Sequence, residues 1–190
     1  MVKKEKMDAD SFKKDLKLGL KYPWNKASRL WNILWILIPI LGFFALFGYL
    51  KKIVRAIVKG KNKQLPEFGN FFTNLSDGFI IFIFMIPTFL VLGLLALVPL
   101  VGELLYALAV IFLVPWLTVN FFMKETFDSL WEIKKAFNIV VDNIREYLFA
   151  FLKTICYLVI YWFLSLVSIG IPCLMFGKAY YLAEFYKKYK

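Results

Sequence analysis

Long apolar runs are the feature that most constrains what this chain can fold into. A helix rises about 1.5 Å per residue, so about 20 consecutive apolar residues cross a hydrocarbon layer of roughly 30 Å. In that layer every backbone N–H and C=O group must be paired within the protein, which favours helices. We therefore predict an all-α, polytopic membrane protein with about five hydrophobic runs and amphipathic connector helices on its cytoplasmic side. The runs are Leu30–Leu50, Phe79–Leu97, Val101–Met123, Tyr147–Val167 and Ile169–Tyr186.

The composition agrees with this fold class. Hydrophobic residues make up 61% of the 190 residues, and the mean hydropathy is +0.68. Ordinary soluble domains are about 45–50% apolar, and a chain this short has too much surface to hide the excess. We predict a single integral membrane domain over residues 1–190, with a basic cytoplasmic tail at 1–29 and a membrane bundle at 30–186.

Basic residues are distributed unevenly among the segments that join the runs. The chain holds 24 Lys and Arg against 13 Asp and Glu, a formal net charge of +11. Residues 98–103 and 168–171 carry no Lys or Arg, whereas residues 51–78 and 124–146 are basic or mixed. Cytoplasmic loops of membrane proteins carry the excess of Lys and Arg, so the latter segments and the C-terminus are predicted to be cytoplasmic. This places the chain in the cytoplasmic membrane as a multi-pass protein.

The first run leaves two topologies open. Pro39 and Gly42 lie in its middle, and both disfavour a regular helix. If the run crosses once, the basic tail lies outside the cell. If it is a re-entrant hairpin, the tail joins the other basic segments. We favour the hairpin, which places Lys4 and Lys188 both in the cytoplasm.

A β-branched residue before proline recurs inside the runs. Internal repeats are common in membrane proteins, and we interpret residues 24–98 and 101–190 as divergent parallel halves. The signal is weak, because proline is frequent in membrane helices. The pairs are Ile38-Pro39, Ile86-Pro87, Val114-Pro115 and Ile171-Pro172.

Cations crowd the segment that follows the first run. Lys51, Lys52, Arg55 and Lys59 come in succession, and Gly60 is a helix-stop signal. Each basic residue near an anionic membrane surface contributes about 1 kcal/mol of attraction. We predict that these four residues contact anionic lipid, with an orienting role alone as the alternative. Because the basic charge accompanies apolar runs, we expect lipid partners and no nucleic acid.

Few polar side chains fall within the runs. Charges are costly inside a bilayer, so such residues are the default functional candidates. Lys178 and Asn120 are the intramembrane polar candidates, whereas Lys153 is interpreted as a side chain that snorkels to the interface. A helical apolar stripe also crosses residues 124–146 and is interpreted as packing or interface contact. Its members are Phe127, Leu130, Ile133, Phe137, Val140, Ile144 and Leu148.

Catalytic chemistry finds little support in the residue types present. The chain has no histidine, which removes the commonest general base and the commonest neutral metal ligand. Cys156 and Cys173, the two cysteines, lie in apolar runs and are expected to be reduced thiols. No catalytic residue, metal site or cofactor is predicted, and we expect that the protein is not an enzyme.

Several short motifs resemble a known family. The chain is similar, over about residues 16–186, to the uncharacterised prokaryotic and largely archaeal membrane family called domain of unknown function 4013. The resemblance implies a membrane location and a five-run layout, and it brings no known activity. It rests on Leu20-Lys21-Tyr22-Pro23, Gly48-Tyr49-Leu50, Leu65-Pro66-Glu67-Phe68, Asp77-Gly78 and Ile169-Gly170-Ile171-Pro172.

Two classes of function are compatible with these observations. The first is a structural, accessory or lipid-interacting membrane component, with a membrane-protein partner or a second copy of the chain as a further contact. The second is a small oligomeric transporter or channel, in which the proline-broken runs line a site. A transporter needs polar residues that converge near the bilayer midplane, and the runs are poor in them, which favours the first class.

Overall fold

A computed structural model describes residues 9–166 and 168–190 of the chain. Lys4, whose location was predicted above, and Val167, the end of the fourth run, lie outside the described residues. The described part is all-helical, with no strand. Its α-helices are α1 (Ala9–Lys21), α2 (Leu41–Val58), α3 (Phe71–Ala96), α4 (Val101–Leu108), α5 (Val114–Lys124), α6 (Ile133–Asp142), α7 (Ile144–Ser165), α8 (Gly170–Gly177) and α9 (Tyr180–Tyr189), and two 3₁₀ helices cover Trp24–Leu37 and Phe127–Leu130.

Three stretches of helix in the described residues are long and apolar enough to cross a membrane, not five. They are α3, the continuous helix Val101–Lys124 that contains α4 and α5, and α7. The first run is divided at Ile38–Ile40 into a 3₁₀ helix and α2, and α2 carries charged residues along its second half. The last run is divided between α8 and α9. Hydropathy alone does not register these breaks, which is why the predicted count of about five is not confirmed.

The first run reverses direction at Pro39. Ile40 has a positive φ of 62°, and the Leu41 N–H donates to the Pro39 carbonyl at 2.6 Å. The Asn25 side chain donates to the Lys63 carbonyl at 2.7 Å, so the start of the 3₁₀ helix lies beside the segment that follows α2. The first 3₁₀ helix and α2 therefore form a helical hairpin in the protein itself.

The turn between α3 and α4 has the same geometry. Leu100 also has φ of 62°, and the Val101 N–H donates to the Pro99 carbonyl at 2.7 Å. Both are γ-turns with a positive φ at the residue after proline, a conformation that is rare for residues other than glycine. Residues 38–42 and 98–102 share the order β-branched, proline, aliphatic, aliphatic, glycine. The repeat that the structure shows is therefore this pair of turns. It includes Pro39 but joins it to Pro99, and not to the prolines inside the later runs.

A close helix crossing joins α2 to α3. Gly48 of α2 faces the backbone of Asn74, and Gly78 of α3 faces the backbone of Phe44, so that a Cβ atom at either glycine would overlap a carbonyl oxygen. Small residues at such crossings let two helix backbones approach each other. Helix α2 is consequently the most buried helix, with Tyr49 and other apolar side chains enclosed by α3, α5 and α9.

Pro115 explains an irregular segment of the second spanning helix. Proline has no N–H, so the carbonyl four residues earlier, that of Ile111, loses its helical partner. The Tyr147 hydroxyl of α7 donates to this carbonyl instead. The backbone widens into a π-helical segment at Ala109–Leu113, the usual form of a local insertion in an α-helix. Tyr147 thereby connects α7 to the proline-broken helix.

Helix α1 packs on α7. The Lys153 ammonium of α7 lies 2.6 Å from the Asp15 carboxylate and 5.6 Å from the centre of the Phe12 ring. The Tyr181 hydroxyl donates to the Leu16 carbonyl at 2.7 Å. The Lys153 side chain is 8% exposed, so its interpretation as a snorkelling residue is wrong. It neutralises an acid of the N-terminal helix within the protein.

Large apolar side chains cover much of the outer surface. They are concentrated on the second half of α3, on α4 and on α7, where Leu94, Leu104 and Phe163 are each at least 60% exposed. Soluble monomers rarely expose contiguous apolar areas of this extent, whereas lipid solvates them. The distribution of exposed residues agrees with three membrane-length helices.

Candidate functional site

Four charged residues form a cluster where α2, α3 and α5 meet. The Lys51 ammonium lies 2.8 Å from a carboxylate oxygen of Asp77 and 2.8 Å from one of Glu125. Arg55, one turn further along α2, also pairs with Glu125. We call these four residues the basal ion cluster. The Lys51 side chain is 10% exposed, and a charge with so little access to water requires partners of this kind.

Glu125 is held in place by its backbone as well as by its partners. It follows the last residue of α5 in the left-handed region, with φ of 59°, and its N–H donates to the Phe121 carbonyl. The hydrogen bond from Lys51 lowers the pKa of the Glu125 carboxyl from its ordinary value, and the positive charge of Arg55 lowers it further. Glu125 is therefore an anion at neutral pH and links α5 to α2.

The predicted lipid contacts have different environments. Lys51 and Arg55 face the acids of the basal ion cluster. Lys52 has an exposed side chain and donates to the Phe68 carbonyl at 3.1 Å. Lys59 is exposed at the end of α2. Lipid contact by these cations stays a prediction, and Lys52 and Lys59 are the two members whose side chains are turned to the surroundings.

Asn120, one of the two intramembrane candidates, is fully buried and satisfied. Its Nδ2 donates to the Ser129 carbonyl at 2.9 Å, and the Tyr186 hydroxyl donates to its Oδ1 at 2.8 Å. The residue thus joins α5, the second 3₁₀ helix and α9. Its geometry is that of a structural clamp.

Lys178, the other candidate, is exposed at the break between α8 and α9. A cation at a helix break has access to the surroundings of the protein. Lys178 and Asn120 are therefore in different environments and do not form one polar site.

A charged groove lies between α1, α7 and α9. Its volume is about 500 Å³, and its walls combine Asp15 and Lys153 with Glu184, Lys187 and Lys188. Asn62, which follows α2, donates to Glu184 at 2.8 Å. The N-terminal helix, the connector after α2 and the C-terminal helix therefore converge at this groove. Among the described residues no group of three or more acids and cysteines is arranged to hold a metal ion.

An apolar cleft lies between α3, the α4–α5 helix and α6. It has a volume of about 560 Å³ and is lined almost entirely by apolar side chains, with Thr88 and Trp131 as the exceptions. The π-helical segment contributes Ala109, Phe112 and Leu113 to one wall. Five members of the apolar stripe noted in the sequence contribute to the cleft: Leu130, Ile133, Phe137, Val140 and Ile144.

A second, open groove runs along the outer side of α6. It is lined by Trp131, Glu132, Lys134, Lys135, Asn138 and Ile139, so Trp131 borders both this groove and the apolar cleft. Glu132 pairs with Lys124, and this hydrogen bond lowers the pKa of its carboxyl. The apolar stripe in the sequence predicts one wall of the cleft alone, because the opposite wall comes from α3 and the α4–α5 helix.

A comparison with protein families assigns the chain to a group. The family model DUF4013, described as a protein of unknown function, matches residues 32–173. The chain belongs to the DUF4013 family. No curated protein and no solved structure matches the chain.

Some of the candidate sites lie within the residues matched by the DUF4013 model, and one extends beyond them. The basal ion cluster and the apolar cleft lie wholly within the matched residues. The charged groove depends on α1 and α9, which lie outside them. The cleft and the ion cluster are therefore built from the part of the chain that defines the family.

Proposed function

We propose that this DUF4013 protein is a multi-pass component of the prokaryotic cytoplasmic membrane with a structural, accessory or lipid-interacting role and no catalytic activity. The main support for this proposal is the combination of three membrane-length helices with an apolar exposed surface. An all-helical chain with this surface has lipid or the apolar face of a membrane partner as its natural surroundings. A second copy of the chain is one such partner.

The proposed topology has the first helical hairpin re-entering the membrane from the cytoplasm. Its turn at Pro39 and Ile40 is apolar, and its two ends return to the basic connector near Lys63. Convergence of α1, Asn62 and α9 at the charged groove supports a common side for both termini. Since three spanning helices alone would separate the termini, this topology requires α8 and α9 together to return the chain across the membrane. The positive-inside rule makes the common side cytoplasmic.

Anionic lipid is the proposed partner of the basic connector. Lys52, Lys59, Lys61 and Lys63 are exposed there, unlike Lys51, which is neutralised by two acids. Each exposed cation contributes about 1 kcal/mol near an anionic surface, and the attraction decays within a Debye length of about 10 Å at 0.1 M salt. The connector therefore attracts acidic headgroups by charge and without a defined pocket.

Native mass spectrometry of the full chain tests this proposal. Protein purified in detergent is mixed with equal amounts of phosphatidylglycerol and phosphatidylcholine. Charge-removing substitutions Lys52→Gln, Lys59→Gln and Lys61→Gln are combined, and the matched control replaces the same three residues by Arg. We expect that the Gln variant loses its preference for phosphatidylglycerol while the Arg variant keeps it. Equal lipid preference in both variants would leave the connector an orienting role alone.

The alternative function, a small oligomeric transporter or channel, has less support. Such a protein needs polar groups that are available to a solute between its spanning helices. The buried polar side chains Asn120 and Lys153 each have a partner within the protein, Tyr186 and Asp15 respectively. This pairing favours a structural use of both residues.

A further inference from the structure

We infer that the apolar cleft between α3, the α4–α5 helix and α6 is a binding site for one phospholipid, whose acyl chain fills the cleft and whose phosphate lies at the groove formed by Trp131, Lys134 and Lys135. The inference rests on the proposed membrane location and goes beyond it, because it assigns a defined site to one lipid molecule.

The first argument is the shape and lining of the cleft. Its volume of about 560 Å³ falls within the range of about 300–1,000 Å³ that is typical of small-molecule sites. Two of its walls belong to membrane-length helices, so it borders the hydrocarbon layer. Acyl chains are the apolar molecules available in that layer. The occupant that fits the lining is therefore a lipid chain.

The second argument is the presence of unpaired donors among the residues that line the cleft. Thr88 Oγ1 and Trp131 Nε1 are buried and have no hydrogen-bond partner in the part of the chain that the structure describes. Both residues line the cleft. An unpaired buried donor is unfavourable, and the ester or phosphate oxygens of a lipid are suitable acceptors.

Trp131 marks the polar end of the cleft, because it also lines the outer groove with Lys134 and Lys135. The Phe127 ring lies 5.9 Å from the Phe84 ring, measured between centroids, and 6.2 Å from the Trp131 ring. Phe84 lies one helical turn before Thr88 on α3, so the segment that carries Trp131 packs against the part of α3 that precedes Thr88. The other end of the cleft is formed by Leu95 and Leu105, close to the turn between α3 and α4. The cleft therefore has a polar end and an apolar end, as a lipid does.

The third argument is the charge at the polar end. The outer groove beside Trp131 carries Lys134 and Lys135, and its one acid, Glu132, is already paired with Lys124. A phosphate diester placed there meets two cations and the Asn138 side chain. This complementarity selects a phospholipid over an uncharged lipid.

The irregular backbone of the second spanning helix also contributes. The π-helical segment that Pro115 induces supplies Ala109 to the wall, and a small side chain there leaves room for a ligand. π-Helical insertions are frequent at functional sites. Tyr147 holds the segment in this form through the Ile111 carbonyl. The cleft is therefore maintained by a specific hydrogen bond.

A cleft-filling substitution with a matched control tests the inference. Leu92 lines the cleft, whereas Leu94, on the same helix, is 65% exposed and lies outside it. The delipidated full-length chain in detergent is titrated with phosphatidylglycerol, and the first bound lipid is followed by native mass spectrometry. We expect Leu92→Trp to weaken that first binding step at least tenfold and Leu94→Trp to leave it within twofold. Equal binding by the two folded variants would overturn the inference.

Two further measurements keep the test decisive if Leu92→Trp does not fold. Ala109→Leu fills the cleft with a smaller side chain, and the same loss of the first lipid is expected. Wild-type protein in vesicles of phosphatidylcholine and phosphatidylglycerol is also crosslinked to a phosphatidylglycerol with a photoactivatable acyl chain. Crosslinks concentrated on cleft residues support the site. Crosslinks spread evenly over the exposed faces of α3, α4 and α7 would show surrounding lipid only and contradict it.

The headgroup contact has its own test. Lys134→Gln combined with Lys135→Gln is expected to reduce the first binding step for phosphatidylglycerol about fivefold, with little change in crosslink position, since the acyl chain still occupies the cleft. An unchanged affinity would contradict the placement of the phosphate. The Lys52, Lys59 and Lys61 variant tests lipid attraction by the basic connector, whereas the Leu92 and Lys134 variants test the cleft. A failure of the proposed function can therefore be distinguished from a failure of the cleft site.

Discussion

The two halves of α3 differ both in polarity and in what they contact. In residues 71–81 one face packs on α2, and Asn74, Gly78 and Ile81 on that face are buried. In residues 82–96 no side chain is fully buried, and residues such as Leu90 and Leu94 are more than 60% exposed. A single hydrophobic helix thus has a protein-facing half and a half whose surface suits lipid.

Polar and small residues distinguish the two halves. The Asn74 side chain donates to the Phe68 carbonyl at 2.8 Å, and Asp77 pairs with Lys51. Residues 82–96 contain no ionisable group, and Thr88 has no partner among the described residues. The protein-facing half is therefore specified by directional contacts, whereas the other half needs only to be apolar. Substitutions at equivalent residue types in the two halves test this difference.

The largest expected effect comes from a pair of glycines on α3. Gly78→Ala places a Cβ atom against the Phe44 carbonyl, so the α2–α3 crossing must open, and we expect a loss of about 3 kcal/mol in unfolding free energy. Gly93 has open space around it, and Gly93→Ala should be neutral or stabilise the helix by up to about 1 kcal/mol. Thermal unfolding in detergent, followed by size-exclusion chromatography, measures both. Similar losses for the two variants would contradict the division of α3.

The basal ion cluster gives the next largest effect. Lys51→Met leaves Asp77 and Glu125 with Arg55 as their one remaining cation in the cluster, and breaking a largely buried ion pair in this way is expected to cost about 2 kcal/mol. Lys59→Met is the matched control, because Lys59 is exposed, and it should change stability by less than about 0.5 kcal/mol. The same thermal assay compares the variants. A Lys51→Met protein as stable as the control would show that the cluster contributes no stability.

Local sequence signals predicted the turns and the helices well. Pro39 and Gly42 predict a break in the first run, and the chain reverses there, because a proline ring and an absent Cβ act on the backbone directly. The all-helical class follows equally directly from run length. The matching turn at Val98–Gly102 lies between two runs, so a comparison of β-branched–proline pairs inside the runs does not reveal its likeness to residues 38–42.

Pairings between distant residues could not be predicted from the sequence. Glu125 is 74 residues from Lys51, and Asp15 is 138 residues from Lys153. The sequence alone therefore favours lipid or the membrane interface as the partner of each cation, since it shows charge but not which helix faces are in contact. The apolar cleft is not predictable for the same reason: the stripe of α6 indicates one wall, and the other walls depend on tertiary packing.

A smaller effect is expected where Tyr147 compensates for Pro115. Tyr147→Phe leaves the Ile111 carbonyl without a partner, and an unsatisfied buried acceptor costs about 1–2 kcal/mol. Tyr106→Phe is a matched control, because Tyr106 is exposed on α4. Thermal unfolding in detergent should show a loss for Tyr147→Phe alone. Equal stability of the two variants would indicate that the π-helical segment does not depend on Tyr147.

The smallest expected effect is a dependence of stability on pH that arises from Glu125 in the basal ion cluster. The pKa of Glu125 is lowered in the folded protein by Lys51 and then by Arg55, from an ordinary value of 4.5. A carboxyl group with a lowered pKa stabilises the fold at pH values above its ordinary pKa, and this contribution is lost as the pH falls through the folded-state pKa. Stability attributable to Glu125 should therefore be constant from pH 8 to about 5 and decline below about pH 4.5.

Substitution of single acids separates the contribution of Glu125 to stability from the contributions of the other acids. Because the Glu125 side chain is 47% exposed, solvent screening limits its contribution to below about 1 kcal/mol. Glu125→Gln should lower the midpoint of thermal unfolding at pH 7, and its difference from the unsubstituted protein should shrink progressively as the pH falls below about 4.5. Glu103→Gln, which removes an exposed acid at the turn after α3, should leave this dependence on pH unchanged. A difference between Glu125→Gln and the unsubstituted protein that stays constant down to the acid limit of folding would show that the carboxylate charge is not what links α5 to α2.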